Sequence, residues 1–395
     1  MHDTKRHTPC ANSISTSCSD NTEQEHADTD YIDPTQLGPT GSLQMARRLL
    51  IFAALAMSHS LIARFACTAL LCALPSASAF AASDCSGRQA AGYRVLAMEN
   101  GRKVAVWYPA AASERPMAYS RSNGGFMGSV AKDAPPAACS RVPLVLFSHG
   151  LGGCALQTLF FTEELARHGY VVAAPDHRDA VCAIGSDELK FGNMRTDQSF
   201  LEPKRWNDRT EIDRLHDLRA VIRLVANDPQ LSATTDVTSI GAVGHSLGAY
   251  AAIATAGGWP SWKQENVKAV LAFSPYLLPF IAQGALARLN VPVMYQGAQF
   301  DWGITPSIEG AQGAYAVTAP PKYFVKLNGG THLEWTNLLC TGQPNVVACL
   351  KARPNAYLID RYGIEFLDRH LKNKPAPVLS AKSRGVETYR FELSP

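Results

Sequence analysis

One stretch limits what this chain can fold into more than any other: Thr238-Ser-Ile-Gly-Ala-Val-Gly-His-Ser-Leu-Gly-Ala-Tyr-Ala-Ala-Ile253. It opens as a short β-branched and apolar run, Ile240 to Val243. It passes through Gly244-His245-Ser246-Leu247-Gly248 and continues as an Ala-rich helix. A strand, a sharp turn and a helix give Gly-x-Ser-x-Gly a mechanical meaning. The turn forces Ser246 into strained backbone geometry, and side chains at the two flanking positions would strike the neighbouring strand and helix. Glycine relieves both collisions. The Ser246 hydroxyl is then expected above the sheet, with a helix N-terminus behind it. The pentapeptide alone is a weak signal, and an incidental serine in a glycine-rich βα turn would match it. The strand before it and the small-residue helix after it supply the specificity.

The chain around this unit has 395 residues, enough for one large or two ordinary domains. A hydrophobic share of 46% against 18% charged fits a globular protein with a sizeable core. A net charge of +3 without a clustered basic patch excludes nucleic acid as an expected partner. Residues 1–44 are polar and lack apolar periodicity, so they read as a disordered or mis-annotated extension, with translation starting at Met45 or Met57. Residues 45–82 carry basic positions, the apolar run Phe65 to Leu74 and Ala79-Phe80-Ala81, which together read as a secretory signal cleaved near Ala81 or Ala82. Arg64 splits the apolar stretch into parts too short to span a bilayer, which argues against a membrane anchor. The expected product is a soluble periplasmic or secreted monomer, with residues 83–395 as one catalytic domain.

Six cysteines follow the expected cleavage site: Cys85, Cys139, Cys154, Cys182, Cys340 and Cys349. An even number in an exported domain permits three disulfides. Cys85–Cys139, Cys154–Cys182 and Cys340–Cys349 are expected, because each pair falls at loops the fold would bring together. There is no Cys/His spacing suited to zinc, and no metal or cofactor is expected.

Along the exported part, Tyr93–Ala97 and Arg102–Pro109 read as a hairpin turning near Glu99-Asn100-Gly101. Val142–Phe147 is a nearly continuous apolar run, as for a strand buried on both faces. It leads into Ser148-His149-Gly150-Leu151-Gly152-Gly153. A helix over about 156–168 and a strand over 170–174 follow. Val181 to Trp206 is irregular and polar but carries Phe191, Met194, Phe200 and Trp206; it reads equally as a cleft wall or a surface excursion. Ile212, Leu215, Leu218, Ile222 and Val225 mark an amphipathic helix with mostly Asp and Arg between them. Strands at 267–273, 291–296 and 323–327 and a helix over about 355–371 complete the set. Strands alternating with helices imply an α/β fold with a mostly parallel sheet covered on both faces.

A serine hydroxyl is a weak nucleophile at neutral pH and needs a histidine to take its proton and a third group to hold that histidine. In the α/β-hydrolase arrangement the chain order is Ser, acid, His. After Ser246, Asp301 follows the strand at Val291 and His332 follows the strand at Tyr323, both at carboxyl ends where open sheets build sites. Asp301 is the expected acid and His332 the expected base, with Asp360 and Glu334 as rival carboxylates. His177 and His216 precede Ser246, the wrong order, and His245 should point away from the hydroxyl. The N–H groups of Leu151 and Leu247 are the expected oxyanion donors.

Leu146-Phe-Ser-His-Gly-Leu-Gly152, Gly169-Tyr-Val-Val-Ala-Ala-Pro-Asp-His-Arg-Asp179 and Gly244-His-Ser-Leu-Gly248 together resemble the platelet-activating-factor acetylhydrolase-like branch of the α/β-hydrolases. The resemblance implies Leu151 in the oxyanion loop and Ser246 as nucleophile. It also implies an acid directly after the strand that follows the nucleophile helix, where this chain has Leu271-Ala-Phe-Ser-Pro275 and no carboxylate. Asp301, one strand later, must then serve. Pro321-Lys-Tyr-Phe-Val-Lys-Leu-Asn-Gly-Gly-Thr-His332 looks like the histidine loop of cutinase-like polyester hydrolases. Dienelactone hydrolases are similar in fold but use cysteine where Ser246 stands. The expected activity is hydrolysis of a carboxylic ester with a short acyl group, on a small-molecule or lipid substrate. Polyester, amide or thioester hydrolysis is the alternative, and a binding module on an inactive hydrolase fold is the reading from outside enzymology.

Overall fold

The computed structural model describes residues 85, 87–119, 126–186, 188–340 and 343–394. The expected extension over 1–44 and signal region over 45–82 lie outside the described residues. Strands β1 (Ala90–Ala97), β2 (Lys103–Ala110), β3 (Arg115–Ala118), β4 (Met127–Lys132), β5 (Val142–Ser148), β6 (Val171–Pro175), β7 (Thr235–His245), β8 (Val267–Phe273), β9 (Val293–Ala298), β10 (Lys322–Leu327) and β11 (Val386–Glu392) form one sheet in the order β11-β10-β9-β8-β7-β5-β6-β2-β1-β4-β3. The central pairs, from β6 through β5, β7, β8 and β9 to β10, are all parallel. Antiparallel pairing is confined to the two flanks.

Continuous apolar runs make the middle of the sheet because both of its faces are covered. Every residue of β5, β6 and β9 is buried. Neighbouring side chains alternate between two core layers, as the pleat requires. Leu144, Leu146 and Ala242 join the layer built with helices α2 (Ile212–Asn227) and α3 (Leu247–Ile253). Val145, Phe147 and Val243 join the opposite layer, built with α1 (Leu159–Arg167) and α4 (Pro354–Lys372). All three expected disulfides form, with Cα–Cα separations of 5.4, 5.4 and 6.0 Å for Cys85–Cys139, Cys154–Cys182 and Cys340–Cys349.

The structure differs from the sequence reading in three places. Between the expected hairpin and Cys139, where no strand is expected, lie β3 and β4, which extend the sheet beyond β1. The chain end adds β11, an edge strand antiparallel to β10. Its Val-Glu-Thr-Tyr-Arg-Phe-Glu run has the β-branched and aromatic content of a half-exposed strand. The third difference concerns α2, whose Asp and Arg positions read as its solvent face. Arg214 and Asp217 are instead buried, because they meet polar partners from the ends of β5 and β6.

The strand order reverses between β5 and β7. The chain moves outward from β5 to β6 and returns to place β7 on the other side. The crevice outside the carboxyl ends at such a switch point is where open α/β sheets bind ligands.

Candidate active site

Ser246 stands at that crevice, directly after β7. Its backbone has φ 53° and ψ −116°, a left-handed geometry that an L-residue adopts only under constraint. Two glycines set the constraint. A Cβ at Gly248 would land on the carbonyl oxygens of Ser148 and His149, and one at Gly244 on the backbone of Gly248. The Ser246 N–H is held by the Phe273 carbonyl at 2.9 Å, which fixes the turn to the end of β8.

Three further strand ends supply what surrounds the hydroxyl. His332 Nε2 lies 3.1 Å from Ser246 Oγ. His332 Nδ1 lies 3.2 Å from Asp301 Oδ1. Asp301 is buried and caps its own turn: its carbonyl accepts the N–H groups of Ile304 at 3.2 Å and Thr305 at 2.9 Å. Ser274, directly after β8, lies between the two, with its Oγ 2.6 Å from His332 Nδ1 and in contact with Asp301 Oδ2. The sequence signalled the first three residues but not Ser274. His245 lines the same cavity, and its Nε2–H donates to the His332 carbonyl at 2.8 Å. Of the rival carboxylates, Glu334 faces Arg353 at 3.5 Å. Asp360 is half-buried with its Oδ1 enclosed, and desolvation, reinforced by Glu164, raises its carboxyl well above the usual range.

The glycine-rich loop after β5 forms the other wall. Its Gly150 N–H goes to Gln157 Oε1 at 2.9 Å, Gly152 N–H to Asp179 Oδ2 at 3.0 Å and Gly153 N–H to the Gly150 carbonyl at 3.0 Å. No acceptor among the described residues takes the Leu151 N–H. Leu247 opens α3 immediately behind Ser246. The loop is anchored from below by Arg214, which pairs with both Asp179 oxygens at 2.9 Å and donates to the His149 carbonyl at 2.7 Å and Ser148 Oγ at 3.1 Å. Burial raises the Asp179 carboxyl, but Arg214 and the Gly152 N–H outweigh it and bring it down to about 2. Burial lowers His149 to about 4, so it is neutral at pH 7.

A second Ser-His-Asp string runs beneath this loop. Ser148 Oγ lies 2.9 Å from His177 Nε2, and His177 Nδ1 lies 2.9 Å from Asp217 Oδ2. All three side chains are buried. The three side chains satisfy one another's polar groups in the interior.

Ser246 and His332 open onto a cavity of about 320 Å³. Its apolar lining comes from Phe126, Leu151, Phe200, Leu333 and Leu338. Phe200 and Cys182 place the irregular segment in the wall, and Met194 packs against Gly152. Asp197, Glu211 and Asp213 bring carboxylate oxygens within 4.8 Å of one another. Arg178 already occupies that cluster, at 2.8, 3.3 and 3.6 Å from the three.

The family described as platelet-activating factor acetylhydrolase, isoform II, matches residues 117–215, which include the glycine-rich loop and end before Ser246. The platelet-activating factor acetylhydrolase of Cavia porcellus is 21% identical over 237 residues, covering 51% of this chain and 53% of that protein. That of Canis lupus familiaris is 30% identical over 155 residues, covering 31% and 34%. The chain thus spans about half or less of the curated relatives it matches. A solved structure of a ferulic acid esterase from Streptomyces cinnamoneus superposes with a TM-score of 0.56 at 21% identity, covering 78% of this chain and 96% of that one. The likeness extends to the fold.

Proposed function

We propose that this chain, a member of the α/β-hydrolase superfamily in its platelet-activating-factor acetylhydrolase-like branch, is an exported serine esterase acting through an acyl-Ser246 intermediate. The observation that carries the proposal is the 3.1 Å approach of His332 Nε2 to Ser246 Oγ at the floor of the cavity. His332 takes the hydroxyl proton as Ser246 Oγ bonds to the ester carbonyl carbon. The oxyanion so formed is held by the N–H groups of Leu151 and Leu247. His332 then returns the proton to the departing alcohol, and the acyl group stays on Ser246. Water, deprotonated by the same histidine, releases the acid and restores the hydroxyl. Asp301 orients the imidazole throughout.

A short acyl group is supported by the modest, mostly apolar cavity and by the acetylhydrolase name of the relatives. Export is supported by three disulfides, which persist in oxidising compartments. The test is hydrolysis of p-nitrophenyl esters from acetate to palmitate, beside Ser246→Ala. Activity peaking at acetate or butyrate and lost in the variant is expected; equal activity in Ser246→Ala would end the proposal. A polyester or aryl ester substrate is the second reading. It is favoured by Trp302, 77% exposed next to Asp301, and by the neighbouring Phe300. Polymer film and feruloyl esters in the same assay decide between them.

A further inference from the structure

We infer that Ser274 is a positioning residue that links the acid to the base, an assignment that rests on the esterase reading above. To accept a proton from Ser246, His332 Nε2 must carry its lone pair, so the neutral ring has its hydrogen on Nδ1. That single N–H faces two acceptors. Asp301 Oδ1 is 3.2 Å away and Ser274 Oγ is 2.6 Å away. The Ser274 hydroxyl has one hydrogen of its own, and Asp301 Oδ2 is in contact with it. The donors and acceptors therefore run in one direction: His332 Nδ1–H to Ser274 Oγ–H to the Asp301 carboxylate. The nearer partner of the histidine is the neutral hydroxyl, and the carboxylate acts on the ring largely through it. Charge forming on the imidazole is met by a hydroxyl that the carboxylate has already polarised.

The backbone supports this assignment. Ser274 is fully buried and has φ 40°, in the left-handed region where glycine is the residue of least strain. Its N–H is held by the Gln296 carbonyl at 2.8 Å, which fixes where the hydroxyl points. Thr305 Oγ1 approaches the same Asp301 oxygen at 3.3 Å, so the carboxylate stays anchored if Ser274 is changed.

The experiment uses the full chain exported to the periplasm, with Ser274→Gly as the main variant. Glycine removes the hydroxyl and suits the positive φ, and Ser274→Ala repeats the test if the glycine variant does not fold. The expected result is a fall in kcat of about tenfold to a hundredfold on p-nitrophenyl acetate, with KM and thermal midpoint close to the parent; this corresponds to one hydrogen bond to a developing charge. Wild-type kcat in a folded variant overturns the assignment. A rescue arm separates positioning from packing: Asp301→Asn should lose most of the activity, and adding Ser274→Asp should restore at least about tenfold, because a carboxylate there reaches Nδ1 directly. A second variant no faster than Asp301→Asn, with Ser274→Gly at wild-type kcat, leaves Ser274 as filler. Ser246→Ala in the same series keeps the two ideas apart. If it retains activity, the esterase reading fails; if it is inactive while Ser274→Gly is normal, only the Ser274 assignment fails.

Discussion

Replacing Arg214 with methionine tests whether the glycine-rich loop is held from below by one buried cation. The guanidinium is fully buried and makes four hydrogen bonds: two to Asp179 and one each to Ser148 Oγ and the His149 carbonyl. Methionine keeps the length and loses all four. Asp179, 1% exposed, then has only the Gly152 N–H. In the parent its carboxyl sits at about 2 against an ordinary 3.8. That difference is worth about 2.4 kcal/mol of stability at neutral pH. With only the Gly152 N–H left against burial, the carboxyl rises above its ordinary value, and the total loss becomes about 3–5 kcal/mol, as for other buried pairs broken on one side. A depressed carboxylate contributes stability above its unfolded value and loses it as pH falls through its folded value. The unfolded state cancels in the comparison, so the gap between parent and variant is widest at pH 7 and closes as pH falls from the variant's raised value, above 3.8, towards the parent's value of about 2. Urea unfolding followed by tryptophan fluorescence at pH 7 and pH 3 measures both numbers. Asp179→Asn on top of Arg214→Met should recover part of the loss, since no buried charge is then left alone. A loss below about 1 kcal/mol at pH 7, or a gap that stays constant with pH, would refute the reasoning.

Three other outcomes are expected. Gly248→Ala should abolish activity and cost about 3 kcal/mol or more, because its Cβ would meet two carbonyl oxygens of backbone rather than a movable side chain; circular dichroism melting beside ester hydrolysis reports both. Cys154→Ser with Cys182→Ser opens a closed loop whose ends are 28 residues apart, which costs about 3.6 kcal/mol on the chain-entropy estimate. It should also raise KM more than it lowers kcat, because Cys182 lines the cavity. Glu211 is pushed up to about 7 by burial against an ordinary 4.5, despite the Asp197 N–H. The folded state thus holds a proton that the unfolded state has lost, and stability falls as pH rises from 4.5 to 7. Glu211→Gln should flatten that decline in a pH series of unfolding curves.

The middle of the sheet could be read directly from the chain because burial on both faces writes itself as unbroken apolar runs, as in Val142–Phe147. The elbow was equally open, since its two glycines stand where backbone approaches backbone. Ser246, Asp301 and His332 could be picked out because each follows such a run in a fixed chain order. The residues missed share another property. Ser274 gains its place only when the ends of β8, β9 and β10 converge, and no spacing within its own segment signals that convergence. Arg214 and Asp217 obey helical periodicity as polar positions. Their burial depends on polar partners brought from the ends of β5 and β6, which a pattern within one helix cannot encode. β11 is short and half exposed, so its alternation is weak.

The proposed nucleophile and the three groups around it come from four adjacent strands, and their loops lengthen with distance. Ser246 and Ser274 follow β7 and β8 immediately, Asp301 stands third after Ala298, and His332 fifth after Leu327. Neighbouring strands are spaced by about 4.8 Å, so each step outward demands a longer cantilever back to the same point. The length of residues 328–331 is therefore a dimension of the site in its own right. Removing one of them would shorten the arm and withdraw the imidazole from Ser246 while every strand kept its register. In that loop, residue count constrains variation more tightly than residue identity.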